Sequence, residues 1–270
     1  MSLRIGSQEH RDLFCRFFVD SHIRFDPRRI SWPKLDGDAL TRVTALPFWQ
    51  EAVSTEHVTA RIVQAAADTE PDPVVREALA LQGHEESRHS ELLHELTRFY
   101  GIALPALVPP SEKQVHGRYL YAGYGECFDS FFAFGLIALA RTSGYFSAEL
   151  VDIFEPIMQE EARHILFFVN WVAYRRAHQS WPRRTLFDTQ RLMVTLSQIL
   201  SRAKTARGMN EGENFTMKGH EGMNADVTPR RFLEVCLAEN DQRFNRYDPR
   251  LIRPRFVPAA ARLALRFLRK

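Results

Sequence analysis

Two pentapeptides of one form, Glu-Glu-x-Arg-His, stand at residues 85–89 and 160–164 of the 270-residue chain. Apolar residues surround each of them: Leu92 and Leu93 follow the first, Ile157 and Met158 precede the second, and Ile165 to Phe168 follow it. Burying a lone charge is costly unless it is paired or bound to a metal. A fold that places both pentapeptides inside must therefore give their carboxylates and imidazoles partners. Within each, Glu86 and His89, and Glu161 and His164, lie three residues apart, and such residues share one face of an α-helix.

The two motifs are offset by 75 residues, and other positions recur at that offset. Glu51 maps to Glu126, and Trp49 to Tyr124. Each half thus has a lone Glu and, 35 positions further on, Glu-x-x-His. At about 1.5 Å per residue, antiparallel helix hairpins are expected to bring Glu51 level with Glu86 and Glu126 level with Glu161. Four carboxylates and two imidazoles then meet at mid-height. Glu56 is a rival to Glu51, because both faces of its helix are rich in apolar residues; the 75-residue symmetry favours Glu51.

The rest of the chain reads as all-α, in one domain. A four-helix core is predicted over about 46–178, from helices at about 46–69, 73–100, 112–141 and 146–178. Accessory helices are predicted at 7–20, 182–204, 229–245 and 258–269. Pro156 is expected to kink the fourth core helix or mark its start. Residues 26–37, with two prolines and a glycine, read as a connector. Residues 205–228, rich in Gly, Asn and Met, read as a long loop and a mobile flap.

Composition narrows the function. A 45% hydrophobic, 26% charged chain of net charge +3 is of ordinary globular type, and this charge does not call for a nucleic-acid partner. Three well-separated cysteines, Cys15, Cys127 and Cys236, form neither a disulfide framework nor a zinc motif, which points to a reducing cytoplasm. No run approaches the length of a membrane span. The basic tail, with Arg262, Arg266 and Arg269 on one stripe, reads as a surface-packing helix and leaves open a contact with a membrane surface or RNA.

A Glu from each of two helices, with Glu-x-x-His from each of two others, resembles the ligand set of the ferritin-like di-iron and di-manganese carboxylate superfamily. The resemblance covers about residues 46–178. The Glu-Glu-x-Arg-His form is similar to that of the amine N-oxygenases in this group. Those enzymes carry a further histidine where this chain has Ile157. The resemblance implies a ferritin-like four-helix bundle with Glu51, Glu86, His89, Glu126, Glu161 and His164 as metal ligands. It also implies two Fe ions, or Mn with Fe, and dioxygen as co-substrate. Oxygen and nitrogen donors without thiolate suit those metals. The expected function is a non-haem di-iron oxygenase or oxidase, using an external electron donor and acting on a small or medium organic molecule. The alternatives are a ferroxidase or peroxide scavenger and a tRNA-modifying hydroxylase. A homodimer is compatible with all three.

Further residues border this cluster. Asp129, one turn past Glu126, is expected to orient a ligand histidine or to join the ligands. Thr55 and Ser130 lie one turn past Glu51 and Glu126 and could place hydroxyls by the metals. Arg88 and Arg163, three residues after Glu85 and Glu160, read as salt-bridge partners within their own helices. His57, His84, His94, His116 and His220 read as surface or packing residues.

Overall fold

The computed structural model describes residues 3–206 and 228–268. Ten α-helices and one 3-10 turn, Pro27–Arg29, account for its regular structure, and there is no strand among the described residues. The helices are α1 (Gln8–Asp20), α2 (Gly37–Thr44), α3 (Trp49–Thr69), α4 (Pro73–Phe99), α5 (Glu112–Val115), α6 (Tyr119–Ser143), α7 (Ala148–Ala177), α8 (Trp181–Ala206), α9 (Pro229–Asn245) and α10 (Phe256–Ala264).

Local chemistry sets these boundaries. Asp72 accepts from the backbone N–H groups of Val74 and Val75 and starts α4, with Pro73 in its first turn. Thr228 caps α9 through Arg231 N–H, again just before a proline. Gly144, at φ +65°, ends α6 in the left-handed conformation that glycine adopts without strain. The structure differs from expectation in two places. Residues 37–44 form a helix, capped by Asp36, between the predicted connector and the first core helix, where no element was expected. The third core helix is broken: α5 ends at Val115, Gly117 takes φ +69°, and α6 starts at Tyr119. Pro156 lies inside α7, which begins at Ala148 under a Ser147 cap. The predicted loop at 205–228 falls, apart from its ends, outside the described residues.

Helices α3 and α4 form a tight hairpin. Ala60 faces Gly83, where a Cβ would come within 3.6 Å of the Ala60 carbonyl and 3.3 Å of Gln64 N. Further along, Ser90 Oγ lies 3.5 Å from the Val53 carbonyl. Helices α6 and α7 form the second hairpin. The four long helices pack around a core that includes Ile62, Val63, Leu79, Leu92, Phe134, Leu166 and Phe167. Helix α1 closes one side of this core with Phe14 and Phe18, both fully buried. Helix α8 lies along α6, and α9 crosses it where Gly135 leaves room for Cys236. Helix α10 buries Val257 and Ala261 against α9 and α6, so the basic tail packs on the protein, and Arg262 pairs with Asp241. Arg269 lies outside the described residues. No helix among the described residues is long and apolar enough to cross a membrane.

Candidate metal centre

The duplicated pentapeptides meet at the middle of the four long helices. Helices α4 and α7 run antiparallel there, so each motif faces the other about a local twofold axis. Arg88 pairs with Glu160 and Arg163 with Glu85. Both ion pairs therefore cross between helices, which corrects the expectation that each arginine would pair within its own helix. His89 Nε2 lies 2.8 Å from Glu160 Oε2, and His164 Nε2 lies 2.8 Å from Glu85 Oε2. A carboxylate behind each ring accepts a hydrogen bond from Nε2–H and orients the ring, so both Nδ1 atoms point inward.

Each inward Nδ1 is buried and without a well-directed hydrogen bond. His89 Nδ1 lies 3.3 Å from Glu161 Oε1 and 3.6 Å from Glu56 Oε2; His164 Nδ1 lies 2.9 Å from Glu86 Oε1. The ring centroids are 5.6 Å apart. Glu56, Glu86, His89 and Glu161 offer ligand atoms within 4.8 Å of one another, and Glu86, Glu126 and His164 do the same. Glu86 belongs to both groups.

Five of the six predicted ligands thus converge; Glu56 takes the position expected of Glu51. The hairpin register explains the exchange. With Ala60 opposite Gly83 and Val53 opposite Ser90, Glu56 comes level with Glu86. Glu51 lies five residues, about 7.5 Å, closer to the N-terminus of α3. It lines a cavity beside the centre instead.

Asp129 also departs from expectation. It orients no histidine: Arg202 of α8 holds it, with Nη2 2.6 Å from Oδ2. Arg202 is itself fixed by the Gln198 side chain and the Gly125 carbonyl. Ser130 Oγ donates to Glu161 Oε2 at 2.8 Å, which places it beside the predicted ligands. Thr55 lines the same cavity as Glu51. Of the remaining histidines, His84, His94 and His116 are exposed, and His220 lies outside the described residues.

Sequence reasoning missed three supports. Gln82, one turn before Glu86, has its amide nitrogen 3.5 Å from both Glu86 Oε1 and Glu126 Oε2. The Tyr119 hydroxyl donates to Gln82 Oε1 at 2.9 Å and so turns that amide toward the carboxylates. His22, just past α1, lies 2.6 Å from Glu85 Oε1. The group formed by His22, Glu85 and Glu160 is a brace, since arginines and histidines already occupy its carboxylates.

Protons carry the charge balance of the metal-free cluster. Burial, reinforced by the nearby Glu86 and Glu161 charges, pushes the Glu56 carboxyl up to about 8. Burial also drives Glu126 well above the carboxylate range. Burial opposes charge on both imidazoles, but the surrounding carboxylates outweigh it and hold His89 and His164 well above the usual histidine value. Glu161 is likewise opposed by burial, yet His89 and His164 pull it below its ordinary value.

Two cavities adjoin the cluster. The larger, of about 370 Å³, has polar side chains in its wall and reaches Glu51, Thr55, Glu126, Asp129, Ser130 and Arg202. The other, of about 140 Å³, touches the cluster only through Glu56 and His89 and is otherwise lined by apolar residues. Glu56, Ala133, Ile157 and Met158 border both.

No family model, curated protein or solved structure matches the chain.

Proposed function

We propose that the protein is a ferritin-like di-metal carboxylate oxygenase that oxidises an organic molecule with dioxygen. The observation that carries this reading is the convergence of four carboxylates on the buried, inward-facing Nδ1 atoms of His89 and His164, neither of which makes a well-directed hydrogen bond. A buried polar atom normally has a well-formed partner. Two divalent cations would satisfy both nitrogens and the crowded oxygens at once, and this all-oxygen-and-nitrogen donor set suits Fe or Mn.

Glu56, Glu86, His89 and Glu161 would hold one ion, and Glu86, Glu126 and His164 the other. Bound there, Fe, or Mn with Fe, supplies the redox chemistry that dioxygen needs. The net change is RH + O₂ + 2e⁻ + 2H⁺ → ROH + H₂O, the electrons coming from an external donor. The chain's part is positional. Glu160 and Glu85 hold the imidazoles from behind, Ser130 fixes one Glu161 oxygen, and Gln82 steadies Glu86 and Glu126. The larger cavity admits water and protons, with Asp129 and Arg202 in its wall. The apolar cavity favours an organic substrate over a bare ferroxidase. The free cysteines fit a reducing cytoplasm.

The test is to load the purified protein with Fe(II) without oxygen, determine metal per chain, then add ¹⁸O₂ and follow dioxygen uptake. About two metal ions per chain and metal-dependent uptake are expected. Many iron ions oxidised per chain into a mineral core would favour a ferroxidase. Full metal content in the Glu86→Ala, Glu161→Ala double variant would overturn the assignment.

A further inference from the structure

The two cavities reach the centre unequally, and their linings carry chemistry. Every residue lining the smaller cavity except Glu56 and His89 is apolar. Its walls come from five helices and include Trp49, Ala52, Leu93, Ala140, Leu150 and Phe154. The one polar atom that Trp49 brings is satisfied, since its indole N–H donates to the Val43 carbonyl at 2.8 Å. The wall therefore offers nothing to a charged or strongly hydrogen-bonding group. Its volume of about 140 Å³ is close to the roughly 150 Å³ of dry apolar cavities that bind benzene. On the other side of the centre, Phe18 packs 5.8 Å from the His164 ring and Phe167 packs 4.9 Å from Phe18.

We infer that this apolar chamber binds an uncharged hydrocarbon group the size of a benzene ring or a short branched alkyl chain, and presents it at the Glu56–His89 end of the centre. The inference rests on the di-metal reading and names its substrate class. Ala52 and Ala140 make the room, because larger side chains there would point into the chamber. The polar parts of the substrate are left to the larger cavity, which meets the chamber at Glu56, Ala133, Ile157 and Met158.

Toluene is the probe. It is titrated calorimetrically into the metal-loaded protein, with metal content determined on the same samples. Saturable binding is expected. Ala140→Leu, which fills the chamber, should weaken it about tenfold or more while metal content stays unchanged. Leu150→Ala, which enlarges the chamber, should shift preference from toluene toward naphthalene. This second variant tests the chamber even if the first folds poorly. Metal-loaded protein that does not bind toluene saturably would overturn the inference and leave the metal centre standing. Unchanged toluene affinity in folded Ala140→Leu would overturn it too. Toluene binding by a protein that takes up no metal would instead overturn the di-metal reading, and with it the substrate role of the chamber.

Discussion

Glu56→Gln preserves side-chain shape but removes an anionic oxygen from the group around His89. Metal content should fall from about two ions per chain toward one, whereas Glu51→Gln should leave it unchanged; elemental analysis of both variants decides. Glu160→Gln acts differently. It leaves the buried Arg88 guanidinium without its counter-charge and weakens the acceptor behind His89. Removing one partner of a buried pair costs about 3–5 kcal/mol, measurable by urea unfolding. Lost hydrogen bonds behind a ligand histidine lower metal affinity about 10–100-fold. The contrast between Glu51 and Glu56 shows what the sequence could convey at this scale. The two Glu-x-x-His motifs were legible because i,i+3 geometry is local. The lone glutamate of α3 was not, because an equal offset along the chain does not mean equal height in the bundle. Height depends on the α3–α4 hairpin register, which close packing at Gly83 sets. Arg202, the partner of Asp129, lies 73 residues away on α8, and nothing near Asp129 announces it.

Among the elements, α9 crosses α6 at a glycine. A Cβ on Gly135 would come within 2.3 Å of Cys236 Sγ and 3.2 Å of its Cα, so backbone must move as well as side chain. Gly135→Ala should destabilise the fold by about 1–3 kcal/mol, the usual range for overpacking, read as a lower urea midpoint. Helix α1 invites a complementary test. Its Phe18 is fully buried, its ring lies under the Arg163 guanidinium at 4.5 Å, and its carbonyl accepts from Arg163. Phe18→Ala should cost about 3–5 kcal/mol. The long helices were legible from period and caps, as Asp72-Pro73 and Thr228-Pro229 illustrate. The break before α6 was not, because Gly117 sits in a stretch with no proline, and only its positive φ exposes the turn. Helix α2 was missed for a related reason: at eight residues it is too short to establish a period. Its stability comes from burying Val43 beside Trp49.

Over the whole molecule, the proton balance of the centre predicts how stability responds to pH. Glu56 has an ordinary value of 4.5 and a folded value of about 8, and Glu126, His89 and His164 are also raised. For each of these groups the metal-free folded protein holds its proton at pH values where the unfolded chain has lost it. Stability falls with rising pH wherever the folded state binds more protons. The contribution of these groups is thus complete below their unfolded values and is lost as pH rises through the folded ones. Glu85 and Glu161 are pulled down, so they act in the opposite sense, but below the ordinary carboxylate range. Between about pH 5 and 8.5 the melting temperature of the metal-free protein should therefore decline steadily. Metal reverses the sign. Ligands must shed protons to bind it, so affinity rises with pH, and binding to the native state alone adds stability. The gap between metal-loaded and metal-free melting temperatures should widen across the same window, with protons released on metal addition in weakly buffered solution. A constant gap with no proton release would show that the carboxylates are already ionised and open to water, and that the cluster is not a buried metal centre.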